Sequence, residues 1–360
     1  MRALRFHDAL DLRMDDVERP QCNIDEVRLK VAYCGICGTD SHEYQAGPIL
    51  CPSKEHGNLI SGAKLPQVLG HEFSGTVTEV GDSVKGVQVG QRVTVNPAMD
   101  DRHYGLETCE VCQSGRPNVC MNSTFYGISA QGGGFAEEIV VKPCSLFPLP
   151  DNVSLKLAAL VEPLSVSTHM VRISGFRRGQ DALVLGAGPI GSALVFMLKE
   201  AGARRVFVSE TIELRAARAK QAGADRIIHP LEEDVLKVLK QEMPNGVDVA
   251  FEACGLQSTL DTAIAAVKPG GCIFNVAVHE RPITIDMNLL TLKERRLMAG
   301  NAYTAEDFRK VVDVLSVKGK EVESFITKVV PLQDAIAGGF EELVKNRSKH
   351  NKILVELSPE

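Results

Sequence analysis

Ala182-Leu183-Val184-Leu185-Gly186-Ala187-Gly188-Pro189-Ile190-Gly191 is the stretch that decides the fold. A glycine-rich hexamer alone is a weak signal, but this one directly follows an apolar run of strand length and opens a helical pattern over residues 189–202. In that setting Gly186 supplies a tight turn, Gly188 lets the backbone approach a pyrophosphate, and Gly191 allows close helix packing. Pro189 and Ile190 complete the expected dinucleotide-binding turn, with the anion placed at the helix N-terminus, where unpaired N–H groups and the dipole favour it. Glu210, nineteen residues beyond Gly191, ends the next strand pattern. A carboxylate there accepts hydrogen bonds from ribose hydroxyls and repels a 2′-phosphate, so NAD is expected over NADP. Arg215 has three readings: stacking on adenine, holding a phosphate, or a solvated helix arginine.

The pattern continues outward from this motif. Strands are expected at 205–209, 226–229, 247–251 and 272–276, alternating with helices at 212–223, 232–242 and 257–267. Such alternation predicts an α/β domain with a doubly wound parallel sheet, the Rossmann arrangement. Upstream the character changes. Residues 1 to about 155 are rich in glycine and proline and carry short runs such as Glu26–Val31, Ser74–Val80 and Gln91–Val95, which read as strands of a largely antiparallel domain. The tail, with a helical stretch from Ala305 to Lys318 and a final strand at 352–357, is expected to return to that first domain. We therefore divide the chain into residues 1–160 with 301–360, and residues 161–300. Two domains are also what 360 residues imply, and a cleft between domains is a favoured place for an active site.

Composition excludes several classes. Forty basic and 46 acidic residues are mixed along the chain, a net charge of -6 with no basic stripe, so a nucleic-acid partner is not expected. No apolar run reaches the ~18 residues of a membrane span and no secretory signal opens the chain, so a soluble cytoplasmic protein is the expectation. The ten cysteines are then better read as thiols or metal ligands than as disulfides.

Cys34-Gly35-Ile36-Cys37 could be a redox pair, but the following Gly38-Thr39-Asp40 reads as a turn, whereas redox motifs of this spacing open a helix. The alternative is a zinc thiolate joined by His71, since a catalytic zinc takes three protein ligands and keeps one position open. Cys109-x-x-Cys112 with Cys120 has the spacing of a zinc lobe that lacks its fourth ligand.

Taken in order, Cys37-Gly38-Thr39-Asp40-x-His42, Gly70-His71-Glu72, Gly75-x-Val77-x-x-Val80-Gly81, Gly133-Gly134-Phe135-Ala136-Glu137, Glu162-Pro163-Leu164-Ser165 and the glycine fingerprint resemble the zinc-dependent medium-chain alcohol and polyol dehydrogenases. The resemblance spans nearly the whole chain. It implies a GroES-like fold for the first domain and a catalytic zinc beside NAD. It implies Cys37, His71 and Glu162 as zinc ligands, Thr39 as the hydroxyl bonded to the substrate oxygen, and His42 as the outer member of a proton relay. Glu72 is either an orienting group behind the metal or an occasional ligand. Adjacent residues on extended chain point to opposite faces, which sets it apart from His71. Glu162 stands where simple alcohol dehydrogenases have a second thiolate, and a carboxylate there resembles the polyol and butanediol branch. It makes a harder, more polarising metal site.

In the zinc lobe, the resemblance places the missing cysteine at Leu106, which cannot ligate. His103, Asp100, Asp101 and Glu107 are the substitutes at hand, and an empty lobe of three thiols is the other reading. A long insertion over 43–66 precedes Gly70-His71-Glu72, as in butanediol dehydrogenases. It either shapes the substrate pocket or is a plain surface loop. The function implied is hydride transfer between NAD and a small vicinal diol or hydroxyketone of the 2,3-butanediol and acetoin type. Sorbitol or xylitol dehydrogenase is the nearest alternative, threonine dehydrogenase a more distant one, and a zinc-free reductase-like protein the contrasting class. A homodimer or homotetramer is implied, formed through edge pairing of strands such as 272–276.

Overall fold

The computed structural model describes residues 1–358. They form two compact units, residues 1–162 with 304–358, and Pro163–Tyr303.

The first unit is built on antiparallel pairing. One sheet runs in the order Leu146–Pro148, Arg92–Val95, Glu72–Val80, Val27–Gly35, Lys352–Glu356 and Ile326–Pro331, with Glu138–Val141 also pairing to Val27–Gly35. Only its last pair is parallel. Val27–Gly35 is buried on both faces apart from Lys30, because Leu4, Phe6 and Leu12 of a second layer share the core with Val27, Leu29 and Val31, while Ala32 and Tyr33 pack against Leu155 and Ala159. Leu4, Phe6, Leu29, Val31, Phe73, Phe135, Ile353 and Val355 share that core. The tail strand joins this sheet by pairing Val355 with Cys34, which fixes the end of the chain beside the Cys37 turn.

Gly38-Thr39-Asp40 is not the turn expected from its residue types. It begins the helix Gly38–Ala46, with Cys37 at the N-cap. Glycine, threonine and aspartate are poor helix formers, but the Asp40 carboxylate accepts the Cys37 N–H at 2.9 Å. That bond satisfies one of the amides a helix start leaves unpaired, so the cap makes the helix. A Cys-x-x-Cys that leads into a helix has the redox topology after all. Yet Cys34 lies in the core strand with its thiol pushed well up by burial, with Asp40 and Glu72 nearby adding to the effect, so it is an inert member of such a pair.

The second unit carries a six-stranded parallel sheet in the order Arg226–Ile228, Arg205–Ser209, Asp181–Leu185, Val247–Glu252, Val267–Asn275 and Arg296–Ala299. The direction of travel reverses between Asp181–Leu185 and Val247–Glu252, and ligands of such sheets bind beyond the carboxyl ends of the strands at that point. Both central strands are buried along almost their whole length, Ala182–Leu185 as an unbroken apolar run and Val247–Glu252 with Asp248 interrupting it, because helices cover both faces. The sixth strand was missed in the sequence, since its Arg296-Leu297-Met298-Ala299 is largely exposed and lacks an apolar stripe. Its presence corrects the expected edge. Val267–Asn275 is flanked on both sides, and Arg296–Ala299 is the free edge of that half of the sheet.

Candidate active site

In the first unit, Cys37, His71 and Glu72 come together with one ligand atom from each within 4.8 Å of the others. Two local features produce this group. Cys37 ends the loop after the core strand and caps the helix. Gly70, at φ 95°, turns the chain so that His71 stands before the strand Glu72–Val80 and is not bound by its alternation. That is why His71 and Glu72, expected on opposite faces, reach the same group. Gly70 also has no room for a side chain, since a Cβ would meet the Cys34 Sγ at 2.7 Å.

His71 is buried, and its Nδ1 has no hydrogen-bond partner, although an Asp40 oxygen stands 3.4 Å away. Burial pushes the imidazole pKa down, but the charges of Asp40 and Cys37 outweigh it and hold the ring well above its ordinary value. A thiolate and a carboxylate around a buried imidazole form a donor set that suits a divalent cation in place of the proton. Asp40, already the helix cap, takes the orienting position behind the histidine. It was not singled out in the sequence, although it stands within the Cys37-Gly38-Thr39-Asp40 motif.

Glu72 is held from behind. Both its oxygens accept hydrogen bonds from Lys352 Nζ at 2.6 Å, and both side chains are almost wholly buried. Burial works to lower the Lys352 pKa, yet Glu72, Cys37 and Glu162 overcome it and keep the ammonium above its usual range. Lys352 was also missed, because 280 residues separate it from Glu72. Glu162 is buried near the start of the helix Val161–Ile173 and is near enough for its charge to act on Lys352, but it lies outside the 4.8 Å group. Thr39 Oγ1 stands 3.7 Å from Cys37 Sγ. His42, three residues along the same helix, shares its face and is partly exposed.

A second group joins Asp101, Cys109, Cys112 and Cys120, again within 4.8 Å. Of the four possible substitutes for Leu106, the fold brings in Asp101, which the short 3₁₀ turn Asp101–Tyr104 carries back over the cysteines. Its carboxylate accepts the Cys109 N–H at 2.9 Å and the Asn122 amide at 2.7 Å. Asp100 is bound to Arg102, His103 faces Ser145, and Glu107 is exposed, so none of these joins the group. Cys109 and Cys120 sulfurs are 3.8 Å apart. A tetrahedron with zinc–sulfur bonds of about 2.3 Å has edges of ~3.8 Å, so the spacing fits a closed zinc site.

The insertion is tied both to itself and to the rest of the unit, since Ser61 Oγ donates to the Ser129 carbonyl, Lys54 pairs with Asp8, and Cys51 and Leu65 lie in the core. Glu43, buried at the end of the cap helix, accepts the N–H groups of Ile49, Leu50 and Cys51, and Asn58 accepts those of Ile60 and Ser61. Ile49, Leu50 and Leu59 stay exposed.

In the second unit, the strand Asp181–Leu185 leads through Gly186, at φ 92°, into the helix Pro189–Glu200. A Cβ on Gly191 would sit 1.9 Å from the Gly186 carbonyl oxygen, whereas one on Gly188 would meet nothing within 4 Å. Gly191 is thus required by packing, and Gly188 borders the open space a pyrophosphate needs. Pro189 and Ile190 form the first helical turn beside it. Glu210 is buried and ties the motif to its own strand: Oε2 accepts the Ala187 N–H at 2.7 Å, and Oε1 the amides of Thr211 and Ile212 at 2.8 Å. A carboxylate oxygen with one bond keeps a lone pair for another donor. Arg215 lies on the helix Glu213–Gln221, one turn beyond Glu210.

Comparison with known proteins agrees with these parts. Residues 23–151 match the alcohol dehydrogenase GroES-like domain and residues 189–317 the zinc-binding dehydrogenase domain. The (R,R)-butanediol dehydrogenase of Saccharomyces cerevisiae is 36% identical over 99% of this chain and 98% of its own. Sorbitol dehydrogenase of Bacillus subtilis is 35% identical over 79% of this chain and 78% of its own. The crystal structure of 2R,3R-butanediol dehydrogenase from Bacillus subtilis superposes with a TM-score of 0.92 at 34% identity, covering 99% of each chain.

Proposed function

The chain belongs to the zinc-binding alcohol dehydrogenase family, and from that premise we propose that it interconverts a small vicinal diol and its hydroxyketone, of the 2,3-butanediol and acetoin type. The family makes it an oxidoreductase that uses zinc and a nicotinamide dinucleotide. The observation that carries the site assignment is the grouping of Cys37 and His71 with Asp40 behind the imidazole.

Zinc, when bound, supplies a Lewis acid that lowers the pKa of an alcohol or polarises a carbonyl, and NAD supplies the hydride acceptor. Cys37, His71 and Glu162 are proposed to hold the metal. Glu72, with Lys352 on both its oxygens, is the orienting carboxylate rather than a standing ligand. Thr39 would position the substrate hydroxyl and accept its proton while releasing its own toward His42, which is partly exposed on the same helix face and passes the proton outward. Gly186, Gly188, Pro189, Ile190 and Gly191 cradle the pyrophosphate, and Glu210 receives the adenosine ribose, so NAD is preferred. Arg215 lies near enough to Glu210 in sequence to flank the adenosine. Asp101, Cys109, Cys112 and Cys120 are proposed to hold a second, structural zinc.

The test is a substitution with two readouts. Cys37→Ala is expected to remove one zinc per chain and to lower kcat/KM by about a thousandfold or more, the scale of losing a Lewis acid at the reacting oxygen. Full activity with unchanged zinc would end the assignment.

A sugar-alcohol dehydrogenase remains the second reading, favoured by Glu162 and by the sorbitol dehydrogenase relative. The assembly we infer is a homo-oligomer joined at the edge strand Arg296–Ala299, whose backbone is unpaired on one side and which lies close in sequence to exposed Leu289 and Leu292. No helix among the described residues is long and apolar enough to cross a membrane. Free cysteines throughout the described chain support a reducing, cytoplasmic setting.

A further inference from the structure

The carboxyl ends of Val247–Glu252 and Val267–Asn275 carry a hydrogen-bond network that the site described above does not use. Its hub is Glu252, which is fully buried. The carboxylate accepts the N–H groups of Cys254 at 2.9 Å and Gly255 at 3.0 Å, and the Thr259 hydroxyl at 2.7 Å. The Glu252 carbonyl accepts the N–H groups of Val276 and Ala277 at 2.9 and 3.2 Å. One residue therefore ties down the turns that follow two neighbouring strands. The second turn is braced again from within. His279 Nε2 lies 2.8 Å from Asn275 Oδ1, and Asn275 Nδ2 donates to the Ala277 carbonyl at 2.9 Å. That carbonyl fixes which way the Asn275 amide faces, so Nε2 is the donor to Asn275. Glu252 Oε2 stands 3.7 Å from the same nitrogen, on the N–H side of the ring.

Close packing joins these turns to the glycine fingerprint. A Cβ on Gly186 would meet Cys254 Sγ at 2.6 Å, and one on Gly255 would meet the Val278 carbonyl oxygen at 2.8 Å and Ala277 Cβ at 3.6 Å. The turns after Asp181–Leu185, Val247–Glu252 and Val267–Asn275 thus form one continuous edge along the carboxyl ends of the sheet. A dinucleotide lies across such an edge. On the reading proposed above, Glu210 at the end of Arg205–Ser209 takes the adenosine ribose, and Gly188 beyond the next strand takes the pyrophosphate. The half of the cofactor past the pyrophosphate then runs over the next two strands, in the order the sheet gives them. There it meets the turn 276–279. Val278 is 85% exposed in this turn, and among the described residues its N–H has no hydrogen-bond partner. A ribose hydroxyl oxygen can accept from such a donor.

We propose that His279 and Asn275 are positioning residues for the cofactor's second ribose, the one that carries the nicotinamide, and that they act through the Ala277–Val278 backbone. The proposal rests on the placing of the adenosine at Glu210 and extends it to the other end of the cofactor. Asn275 pins the Ala277 carbonyl, His279 holds the Asn275 amide in place, and Glu252 sets both turns against each other. Removing the His279 ring frees the amide, so the turn gains motion that binding must then remove. The weakening falls only on ligands that reach past the pyrophosphate.

The test is titration calorimetry on the zinc-loaded, full-length protein with ligands of increasing reach: ADP, which ends at the pyrophosphate, ADP-ribose, which adds the second ribose, and NAD. In His279→Ala the Kd for ADP-ribose and for NAD is expected to rise about fivefold to tenfold, the scale of one lost hydrogen bond, while the Kd for ADP stays within about twofold of the parent. His279→Gln, which keeps an N–H donor for Asn275, should recover most of that affinity. Asn275→Ser, which shortens the link to Ala277, carries the same expectation as His279→Ala and serves if that variant does not fold. Equal Kd values for ADP-ribose in parent and variants would overturn the proposal. So would a parallel weakening of ADP, the mark of general damage to the unit. A parent that binds none of the three ligands would overturn it together with the nucleotide reading of Gly188 and Glu210, which the other two outcomes leave standing.

Discussion

Lys352 shows how one side chain can be decisive at the residue scale without standing out in the sequence. Its ammonium is almost wholly buried against the Glu72 carboxylate, and burying either charge alone would be costly. Lys352→Met should therefore leave Glu72 uncompensated and destabilise the first unit by about 3–5 kcal/mol in denaturant unfolding. Lys352→Arg, which keeps a cation, should cost much less. Zinc retention should fall in the methionine variant too, because Glu72 would then be available to move. Cys37, His71, Thr39 and His42 were legible in the sequence because each stands in a short local motif. Asp40 stood in the same motif but was read as part of a turn, and its roles as helix cap and histidine partner appear only in three dimensions. The Glu72–Lys352 pair could not be read from any window, since the sheet brings together residues 280 apart.

At the scale of elements, the three-cysteine lobe carries a clear expectation. If Asp101 completes the site, the protein as isolated contains about two zinc ions per chain, and Asp101→Ala contains about one. Metal analysis with a thermal scan checks this: the variant should melt lower while its catalytic zinc is retained. Equal zinc content in both proteins would remove Asp101 from the ligand set. The strand that leads to the nucleotide turn offers a pH test. Burial works to raise the Asp181 pKa, but hydrogen bonds from Arg204 and Arg205 outweigh it and hold the carboxyl below its ordinary value. A lowered folded-state pKa gives stability that is fully present above the unfolded value and is lost as pH falls through the folded one. The acid limb of the stability curve should therefore be shallower in Asp181→Asn than in the parent. Gly191→Ala is a harsher change, since its Cβ would lie 1.9 Å from the Gly186 oxygen. It should abolish NAD binding in titration calorimetry. Strand and helix alternation made this unit readable, because each central element carries its own apolar run. The edge strand Arg296–Ala299 has only the short, largely exposed Leu297-Met298-Ala299, and the cap helix Gly38–Ala46 begins with poor helix formers. Both depend on partners that lie elsewhere in the chain.

For the whole molecule, the two units divide the chemistry. The first carries both metal groups, and the second carries the glycine fingerprint with Glu210. Assembly should follow the edge strand: Leu297→Glu, at a half-exposed position on Arg296–Ala299, is expected to lower the mass seen by light scattering while the parent runs as an oligomer. The central claim concerns the substrate, where a carboxylate at Glu162 and the long insertion over 43–66 point to a vicinal diol rather than a simple alcohol. Initial rates of NADH formation with the stereoisomers of 2,3-butanediol, sorbitol, xylitol and threonine, with acetoin reduction as the reverse reaction, test it most directly. The account predicts the highest kcat/KM for a butanediol isomer with NAD, matched by reduction of acetoin with NADH. A higher kcat/KM for sorbitol, xylitol or threonine, or no NAD-dependent turnover of any butanediol isomer, would contradict it.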